Sequence, residues 1–185
     1  MDTCKIAANL YQYTAIDDCT RYKVIGLYHR RSARYTVEFL AEVVEEMPFP
    51  IQRMQTDRGR EFFADQVQEQ LMEYGIKFRP IKPRSPHLNG KVERTQKTDL
   101  QEFYTTVDLK DPNLFLHLKE WQHYYNWDRI HGSLNGKTPI DVYHELSNKT
   151  PLLEEVLEHY DPAKEHIQEQ NYYTEFQLRK LKRSL

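Results

Sequence analysis

The first thirty residues alternate between apolar and polar side chains in three short runs. Residues 3–8 and 11–18 form two β-like runs separated by Asn9, and residues 23–30 form a third. Alternation with period two is typical of half-buried strands, and an Asn between two such runs favours a turn. We therefore expect a hairpin that extends into an antiparallel meander of three strands.

The next segment changes to helical spacing and then alternates between strands and helices. After Ser32, a candidate N-cap, apolar side chains recur at helical spacing until Pro48. Residues 51–57 have the pattern of a strand, a second helix closes at Gly75, and residues 76–79 alternate again. Three successive strands followed by alternating strands and helices predict a mixed sheet covered by helices.

The second half of the chain is predominantly helical in pattern. Proline, serine and glycine make residues 80–90 a loop, and helices are predicted from about residue 90 to Tyr104 and from Asp111 to Trp127. The first of these helices presents one stripe of side chains to the core: Val92, Gln96, Leu100, Phe103 and Val107. We divide the chain into an α/β domain over residues 1–146 and a charged helical C-terminal extension over residues 147–185.

Length and composition fit one domain with a core and an extension. The chain has 185 residues, of which 39% are hydrophobic. Neither a membrane-spanning stretch nor a signal-peptide pattern is present in the sequence, so we expect a cytoplasmic protein. Cys4 and Cys19 have neither the density of a disulfide scaffold nor the spacing of a zinc site, and we interpret both as ordinary thiols in strands.

Charge is segregated along the chain rather than in excess. The formal net charge is −2, but between residues 77 and 97 the only acid is Glu93. The basic residues of this segment are Lys77, Arg79, Lys82, Arg84, Lys91, Arg94 and Lys97. Such a run fits contacts with phosphate groups, and the alternative is a solvated protein face.

Two acids stand where a site could form. Asp57 follows a predicted strand and precedes Gly59, and Glu93 lies on the helix that follows the proline-rich loop, beside its buried stripe. Two carboxylates that meet at one edge repel each other unless a cation lies between them, and oxygen ligands favour Mg²⁺ or Mn²⁺. The alternative is a turn aspartate and a solvated helix glutamate, and spacing alone does not choose between the two.

Longer stretches of the sequence resemble a known family. The segment "QTDRGREF" at 55–62, followed by "PRSPHLNGKVER" at 83–94, resembles the DDE transposases and retroviral-type integrases, especially transposases of the IS3 and IS481 groups of bacterial insertion sequences. The segment "YYNWDRIHGSLNGKTPIDVY" at 124–143 is similar to the part that closes this domain in such transposases. The resemblance covers residues 2 to about 145.

The resemblance implies an RNase H-like fold and a DNA-processing activity. The expected fold is a mixed five-stranded sheet, three antiparallel strands and then two parallel ones, flanked by helices. The implied catalytic and metal-binding triad is Asp2, Asp57 and Glu93, which would hold two Mg²⁺ or Mn²⁺ ions for DNA 3′-end cleavage and strand transfer. The expected DNA contacts are Arg84, His87, Asn89, Lys91, Arg94 and Lys97. For His87, an ordinary surface histidine is the alternative.

The resemblance also implies partners. Transposon ends and target DNA are the expected substrates, and a homodimer or higher multimer is the expected assembly, with no membrane and no nucleotide cofactor. Because the helix-turn-helix region expected before this domain is missing from the sequence, we interpret the chain as N-terminally truncated. Two other functions stay open: an inactive transposase remnant that folds and binds DNA or self-associates, and a nonspecific RNase H-like nuclease that hydrolyses without joining.

Overall fold

The N-terminal third forms the expected antiparallel meander. The computed structural model describes residues 1–82, 85 and 88–182. Its first strands are β1 (Asp2–Ala7), β2 (Leu10–Ile16) and β3 (Lys23–Tyr28), each antiparallel to its neighbour in the order β1-β2-β3. Asn9 takes the left-handed conformation, with φ 55°, that a tight turn between β1 and β2 requires.

The central third forms a helix and a parallel pair of strands. Helix α1 (Ala33–Glu46) begins at Ser32, whose side chain accepts the N–H of Tyr35, as the sequence predicts. Strand β4 (Arg53–Thr56) is parallel to β5 (Lys77–Pro80), and α2 (Asp65–Glu73) connects them. Helix α2 is followed by Gly75 at φ +66°, a conformation that favours glycine.

The five strands form two ladders. The predicted numbers and directions are confirmed, with three antiparallel strands followed by two parallel ones. Among the described strands, hydrogen-bonded pairing joins β1, β2 and β3 in one sheet and β4 and β5 in another. The two sheets meet where the nitrogen of Met1, the residue before β1, donates to the Gln55 carbonyl oxygen of β4 at 2.6 Å.

Helices make up the second half of the described chain. They are α3 (Gly90–Thr98), α4 (Leu114–Trp127), α5 (Pro139–Leu146), α6 (Leu153–Glu158) and α7 (Pro162–Lys182). A π-helical turn over Asp99–Phe103 extends α3. The wider turn rotates the following side chains, so that Leu100 is 41% exposed and Asp99 is fully buried. The prediction that Leu100 lies on the buried stripe was therefore wrong.

Helices pack on both faces of the antiparallel sheet. Val24 belongs to a core cluster with Phe39 and Leu40 of α1, whereas the adjacent Ile25 packs against Leu118 of α4 in a second cluster. Because successive side chains of a strand point to opposite faces, these two clusters lie on opposite sides of the sheet. The result is a helix–sheet–helix arrangement, which matches the predicted fold class.

A buried ion pair connects the sheet with the helices above it. The Lys23 ammonium group of β3 donates to the Asp99 carboxylate, and both side chains are fully buried. Asp99 also accepts hydrogen bonds from Gln12 of β2 at 2.8 Å and from the Trp121 indole of α4 at 2.7 Å. Burial lowers the pKa of Lys23 to about 8, although the charge of Asp99 opposes that change.

The C-terminal extension folds back onto the core through α7. Phe176 stacks on Phe63 with ring centroids 4.8 Å apart. The Arg79 guanidinium group makes two hydrogen bonds of 2.6 and 2.8 Å to Glu165. Helix α7 therefore packs against β5 and the segment before α2, whereas the domain boundary between residues 146 and 147 stays a prediction.

We expect Phe176→Ala to loosen α7 without unfolding the core. The substitution removes the aromatic stack on Phe63 while it leaves the bidentate contact between Arg79 and Glu165 in place. Loss of an aromatic contact of this kind costs about 0.5–1.5 kcal/mol beyond the lost burial. Limited proteolysis should then cut within residues 162–182 faster than in the wild type. Phe115→Ala, at an exposed position of α4, is the control, and equal cutting rates in the two variants would contradict the expectation.

The two cysteines lie in different surroundings. Cys4 lies in β1, where burial raises the pKa of its thiol to about 12, but Cys19 lies in the exposed turn after β2. The prediction of a strand at Cys19 was wrong, because the Asp17 side chain accepts backbone N–H groups there and stabilises a turn.

Among the helices of residues 1–82, 85 and 88–182, none has the length and apolarity needed to cross a membrane.

Candidate active site

Asp2 is a buried carboxylate at the first position of β1. It is 9% exposed, its Oδ1 accepts the N–H of Thr3 at 2.7 Å, and its Oδ2 accepts the side-chain amide of Asn89 at 3.1 Å. Burial raises the pKa of Asp2, the nearby charge of Asp57 raises it further, and the two hydrogen bonds oppose the change. The charges of the Asp2 and Asp57 carboxylates therefore repel each other.

Asp57 closes β4 by making a side-chain turn. Its Oδ1 accepts the N–H of Gly59 at 2.9 Å, a bond that ends the strand and directs the chain away from the sheet. Glycine fits at position 59 because a Cβ there would lie only 2.9 to 3.0 Å from the Glu61 carboxylate. Glu61 in turn accepts from the Thr3 hydroxyl at 3.3 Å, which places a further acid beside β1. The sequence analysis did not identify Glu61, since nothing local distinguishes it from a solvated charge.

Glu93 and Asn89 belong to the start of α3. The Asn89 side-chain nitrogen donates to Asp2 Oδ2 and to Glu93 Oε1, and both distances are 3.1 Å. The two carboxylate oxygens are therefore separated by no more than the sum of these distances. The side-chain amide of Gln55 donates to the Leu88 carbonyl oxygen at 2.9 Å and holds the end of the loop against β4. Asn89 lies between two of the predicted triad acids, and its expected contact with DNA stays a prediction.

Asp2 interacts with each of the other two predicted acids, but the three do not form a metal cluster in the described part of the chain. Asp2 is near Asp57 electrostatically and is connected to Glu93 through Asn89. Across residues 1–82, 85 and 88–182, no three acidic, histidine or cysteine side chains lie close enough to hold one ion. The donor set is nonetheless entirely carboxylate oxygen, which is the ligand type that Mg²⁺ and Mn²⁺ prefer.

The predicted DNA-contacting residues differ in their surroundings. Lys91 donates to the Asp18 carbonyl oxygen at 3.0 Å and lies 3.2 Å from the Asp18 carboxylate. Arg94 and Lys97 are exposed on α3, three and six residues after Lys91. Arg84 and His87 lie outside the described residues. The exposed basic side chains of α3 therefore lie on the same helix as Glu93.

Comparison with protein families identifies this domain. One model described as an integrase core domain matches residues 1–86, and a second with the same description matches residues 74–139. The chain carries an integrase core domain. Together, the two matches cover β1 to the start of α5 and include all three candidate acids. The recognition of the family is therefore confirmed. Integrase cores as a family are polynucleotidyl transferases, and this activity is a proposal for the present chain.

Two curated relatives of this integrase core come from a virus and from a transposon. A putative integrase of Spiroplasma virus SpV1-C74 is 27% identical over 154 residues, which cover 74% of this chain and 42% of the relative. A retrovirus-related Pol polyprotein from a transposon of Nicotiana tabacum is 26% identical over 104 residues, covering 55% of this chain and 8% of the relative. The chain therefore spans less than half the length of either curated relative.

Solved structures of retroviral integrases share the fold. The catalytic core of BIV integrase superposes with a TM-score of 0.63 at 16% identity, and the match covers 80% of this chain and 95% of that chain. The catalytic core of HTLV-2 integrase, in complex with magnesium, gives 0.59 at 19% identity over 73% of this chain and 85% of that one. These similarities confirm the RNase H-like fold, while the assignment to the IS3 or IS481 group stays a prediction.

Proposed function

We propose that this integrase core catalyses metal-dependent cleavage of DNA 3′ ends and their transfer into target DNA. The observation that supports it most directly is that Asp2 interacts with both of the other candidate acids: the Asn89 amide contacts both Asp2 and Glu93, and the charge of Asp57 acts on Asp2. The three acids are far apart in the sequence and belong to β1, the end of β4 and α3. Glu93 is exposed on α3, and its connection with the buried Asp2 runs through the Asn89 amide.

Asp2, Asp57 and Glu93 are the residues that would hold the metal. Bound Mg²⁺ or Mn²⁺, as two ions in the arrangement that we expect, would activate the attacking oxygen and stabilise the leaving oxygen of a phosphoryl transfer. Burial favours the neutral form of Asp2, and a cation favours the charged form. A cation at Asp2 and Glu93 competes with the Asn89 amide for the same oxygen atoms. The HTLV-2 integrase core that resembles this chain was solved with magnesium.

DNA binding is proposed for the basic side chains beside these acids. Arg94 and Lys97 are exposed on α3, and Lys91 is 45% exposed despite its contact with Asp18. Together with Arg84 and His87, they would contact phosphates of transposon ends and target DNA, which positions the strands without reading the sequence. Such contacts make binding weaker as salt increases. The integrase cores that resemble this chain include dimeric and trimeric forms, which supports a dimer or higher multimer here.

The decisive experiment is a strand-transfer assay on the purified chain. Labelled DNA ends are incubated with a target plasmid in Mg²⁺ or Mn²⁺, and joined products are separated from hydrolysed ones. Joining that requires the divalent ion supports the proposal. Hydrolysis without joining would indicate the nonspecific nuclease, and DNA binding or self-association without turnover in either ion would indicate the inactive remnant.

We expect Asn89→Asp to destabilise the metal-free protein and to make its stability more responsive to Mn²⁺. The change replaces a donor to two carboxylates with a third carboxylate, so repulsion replaces two hydrogen bonds. A loss of about 1 kcal/mol lowers the midpoint of thermal unfolding by roughly 2–4 °C for a chain of this size. Thermal unfolding with and without Mn²⁺ tests this expectation. Asn148→Asp, at an exposed site, is the control, and an equal Mn²⁺ response in the two variants would reject a role of Asn89 at the metal site.

A further inference from the structure

Arg58 is a mostly buried basic side chain directly after the candidate acid Asp57. Its Nε donates to the Ile81 carbonyl oxygen at 2.9 Å, and its Nη2 lies 3.3 Å from the Glu175 carboxylate of α7. Its remaining nitrogen, Nη1, is buried and has no hydrogen-bond partner in the described part of the chain. The guanidinium group therefore lies between the end of β5 and α7 with part of its donor capacity unused.

Arg79 of β5 forms the second ion pair with α7. Its guanidinium group makes the bidentate contact with Glu165 and also donates to the Phe78 carbonyl oxygen at 2.6 Å. The N–H groups of Lys77 and Ile81 point towards β4, so the alternating backbone directs the Phe78 carbonyl to the opposite edge of β5. Helix α7 therefore covers the edge of β5 that faces away from β4, at the level of Arg79.

Helix α7 covers this edge with little buried surface of its own. Although the helix has 21 residues, none of its described side chains is buried. Its half-buried side chains form one narrow stripe: Glu165, Gln168, Glu169, Tyr172, Phe176 and Arg179. Its aromatic contacts with the core are those of Tyr172 with Phe78 and of Phe176 with Phe63. An element with few buried contacts separates at a low free-energy cost, so α7 can leave the core without global unfolding.

The two ion pairs add little to the docking of α7. Glu175 is 54% exposed, so water screens its attraction to Arg58. The pair of Arg79 with Glu165 is more buried, and the cost of removing both charges from water offsets their attraction. A phosphate group presents oxygen atoms to a guanidinium group in the same paired geometry as a carboxylate. Phosphates can therefore replace the two carboxylates at a small net cost.

The surroundings of the two arginines suit a DNA backbone. Both lie near the carboxyl ends of β4 and β5, the end of a parallel strand pair at which ligands bind. Arg60 and Lys82 are exposed and close to them in sequence. The two paired acids are ten positions apart on α7, which corresponds to about 15 Å along the helix. Because duplex DNA carries a phosphate charge about every 1.7 Å of its axis, one duplex can present phosphates to both arginines.

We propose that Arg58 and Arg79 form a second DNA-phosphate site that α7 covers, with Glu165 and Glu175 in the positions that DNA phosphates take. This inference rests on the proposed function, because it assigns further contacts with the same DNA. The basic side chains of α3 bind DNA while α7 is docked, whereas the two arginines bind it only after α7 has moved. The acids of α7 compete with DNA and so lower the affinity of the chain for DNA next to Asp57.

Titration with a labelled DNA duplex, without divalent ions, tests this competition. One variant combines Glu165→Gln with Glu175→Gln, which removes both charges and keeps both hydrogen-bond acceptors. The control combines Glu154→Gln with Glu158→Gln at exposed positions of α6 and changes the net charge equally. The first variant should bind DNA about tenfold more tightly than the control, because two competing carboxylates are neutralised. Equal affinities would overturn the proposal.

The salt dependence of binding tests whether the arginines take up the phosphates. A third protein adds Arg58→Gln and Arg79→Gln to the first variant, and it should lose the gain in affinity. Its plot of log affinity against log salt concentration should be less steep than that of the first variant by about 2, since each lost phosphate contact removes about 0.9 from the slope. An unchanged slope would overturn the assignment of the two arginines.

Hydrogen exchange on the unaltered chain provides a test that needs no variant. Saturating DNA should speed amide exchange in residues 165–179 at least threefold, because α7 leaves its position on the core. Unchanged or slower exchange there would contradict the displacement of α7. Absence of DNA binding in every protein would overturn the proposed function together with this site, whereas equal binding by the first variant and its control would overturn the covered site alone.

Discussion

Asp57→Asn and Glu93→Gln should each lower Mg²⁺-dependent strand transfer by about 10³-fold or more. Each change removes the negative charge of a proposed metal ligand, and a metal at a phosphoryl-transfer centre supplies several kcal/mol of transition-state stabilisation. Both replacements keep an oxygen atom that the fold uses. The amide oxygen that Asp57→Asn introduces can still accept the Gly59 N–H, and the one that Glu93→Gln introduces can still accept from the Asn89 amide. The loss should therefore be chemical rather than structural, and the assay is joining of labelled DNA ends by purified variants.

The control for these variants is Glu45→Gln, which removes a carboxylate charge from the exposed face of α1. It should transfer strands at the wild-type rate. Thermal unfolding of all three variants checks that the fold is intact. Wild-type activity in Asp57→Asn or Glu93→Gln would reject the assignment of these residues, and a parallel loss in Glu45→Gln would show that general charge rather than metal ligation is responsible.

Lys23→Met should destabilise the folded protein by about 3–5 kcal/mol. Both partners of the ion pair are fully buried, and removal of the ammonium group leaves the Asp99 carboxylate in a site of low polarity. Hydrogen bonds from Gln12 and Trp121 satisfy part of the carboxylate but do not neutralise its charge. Because the pair joins β3 to the turn after α3, its loss should affect the whole domain. Urea unfolding at neutral pH measures the change.

Two further variants distinguish the cost of leaving a buried charge unpaired from the cost of losing an ion pair as such. Replacing both partners, as Lys23→Met with Asp99→Leu, should recover much of the loss, because no unpaired charge remains. Lys137→Met breaks the exposed pair with Glu145 and should cost less than about 1 kcal/mol. If Lys23→Met costs no more than Lys137→Met, the pair does not have the structural role assigned to it.

The pH dependence of the free energy of unfolding provides a second measure of the same pair. Burial lowers the pKa of Lys23 from 10.5 to about 8 in the folded state, whereas a lysine in the unfolded chain keeps its ordinary value. Between these two values the unfolded chain binds more protons than the folded one, so stability should rise with pH across the window. Urea unfolding at several pH values in that range should show the wild type gaining stability relative to Lys23→Met. Parallel curves for the two proteins would contradict the lowered pKa.

Most of the fold was predictable because its signals are local. Alternation over residues 3–8, 11–18 and 23–30 matches three strands, and the Ser32 cap and Gly75 mark the start of one helix and the end of another. The π-helical turn at Asp99–Phe103 was not predictable from a constant helical period. It is stabilised by contacts that Asp99 makes with Lys23, Gln12 and Trp121, all remote in sequence.

In the candidate site, too, the sequence predicted some features, and only the fold determined the others. The motifs around Asp57 and Glu93 are continuous stretches, so the sequence alone identified the acids and, through the resemblance, the integrase core. The position of Asn89 between Asp2 and Glu93 depends on how β1 and α3 meet, and the contact between Thr3 and Glu61 depends on how β1 meets the turn after β4. These contacts could not be read from the motifs, because they join β1 to segments more than fifty positions away.

The sequence by itself determined the order and type of the main elements, the family, and which acids to examine, because periodicity, caps and motifs are properties of neighbouring residues. The tertiary structure alone decided that Asp99 is buried rather than Leu100, that α7 packs on the core, and that the Asn89 amide lies between Asp2 and Glu93. Burial, ion pairing and hydrogen bonds between remote residues arise only when distant segments are brought together. For that reason no local pattern specified them.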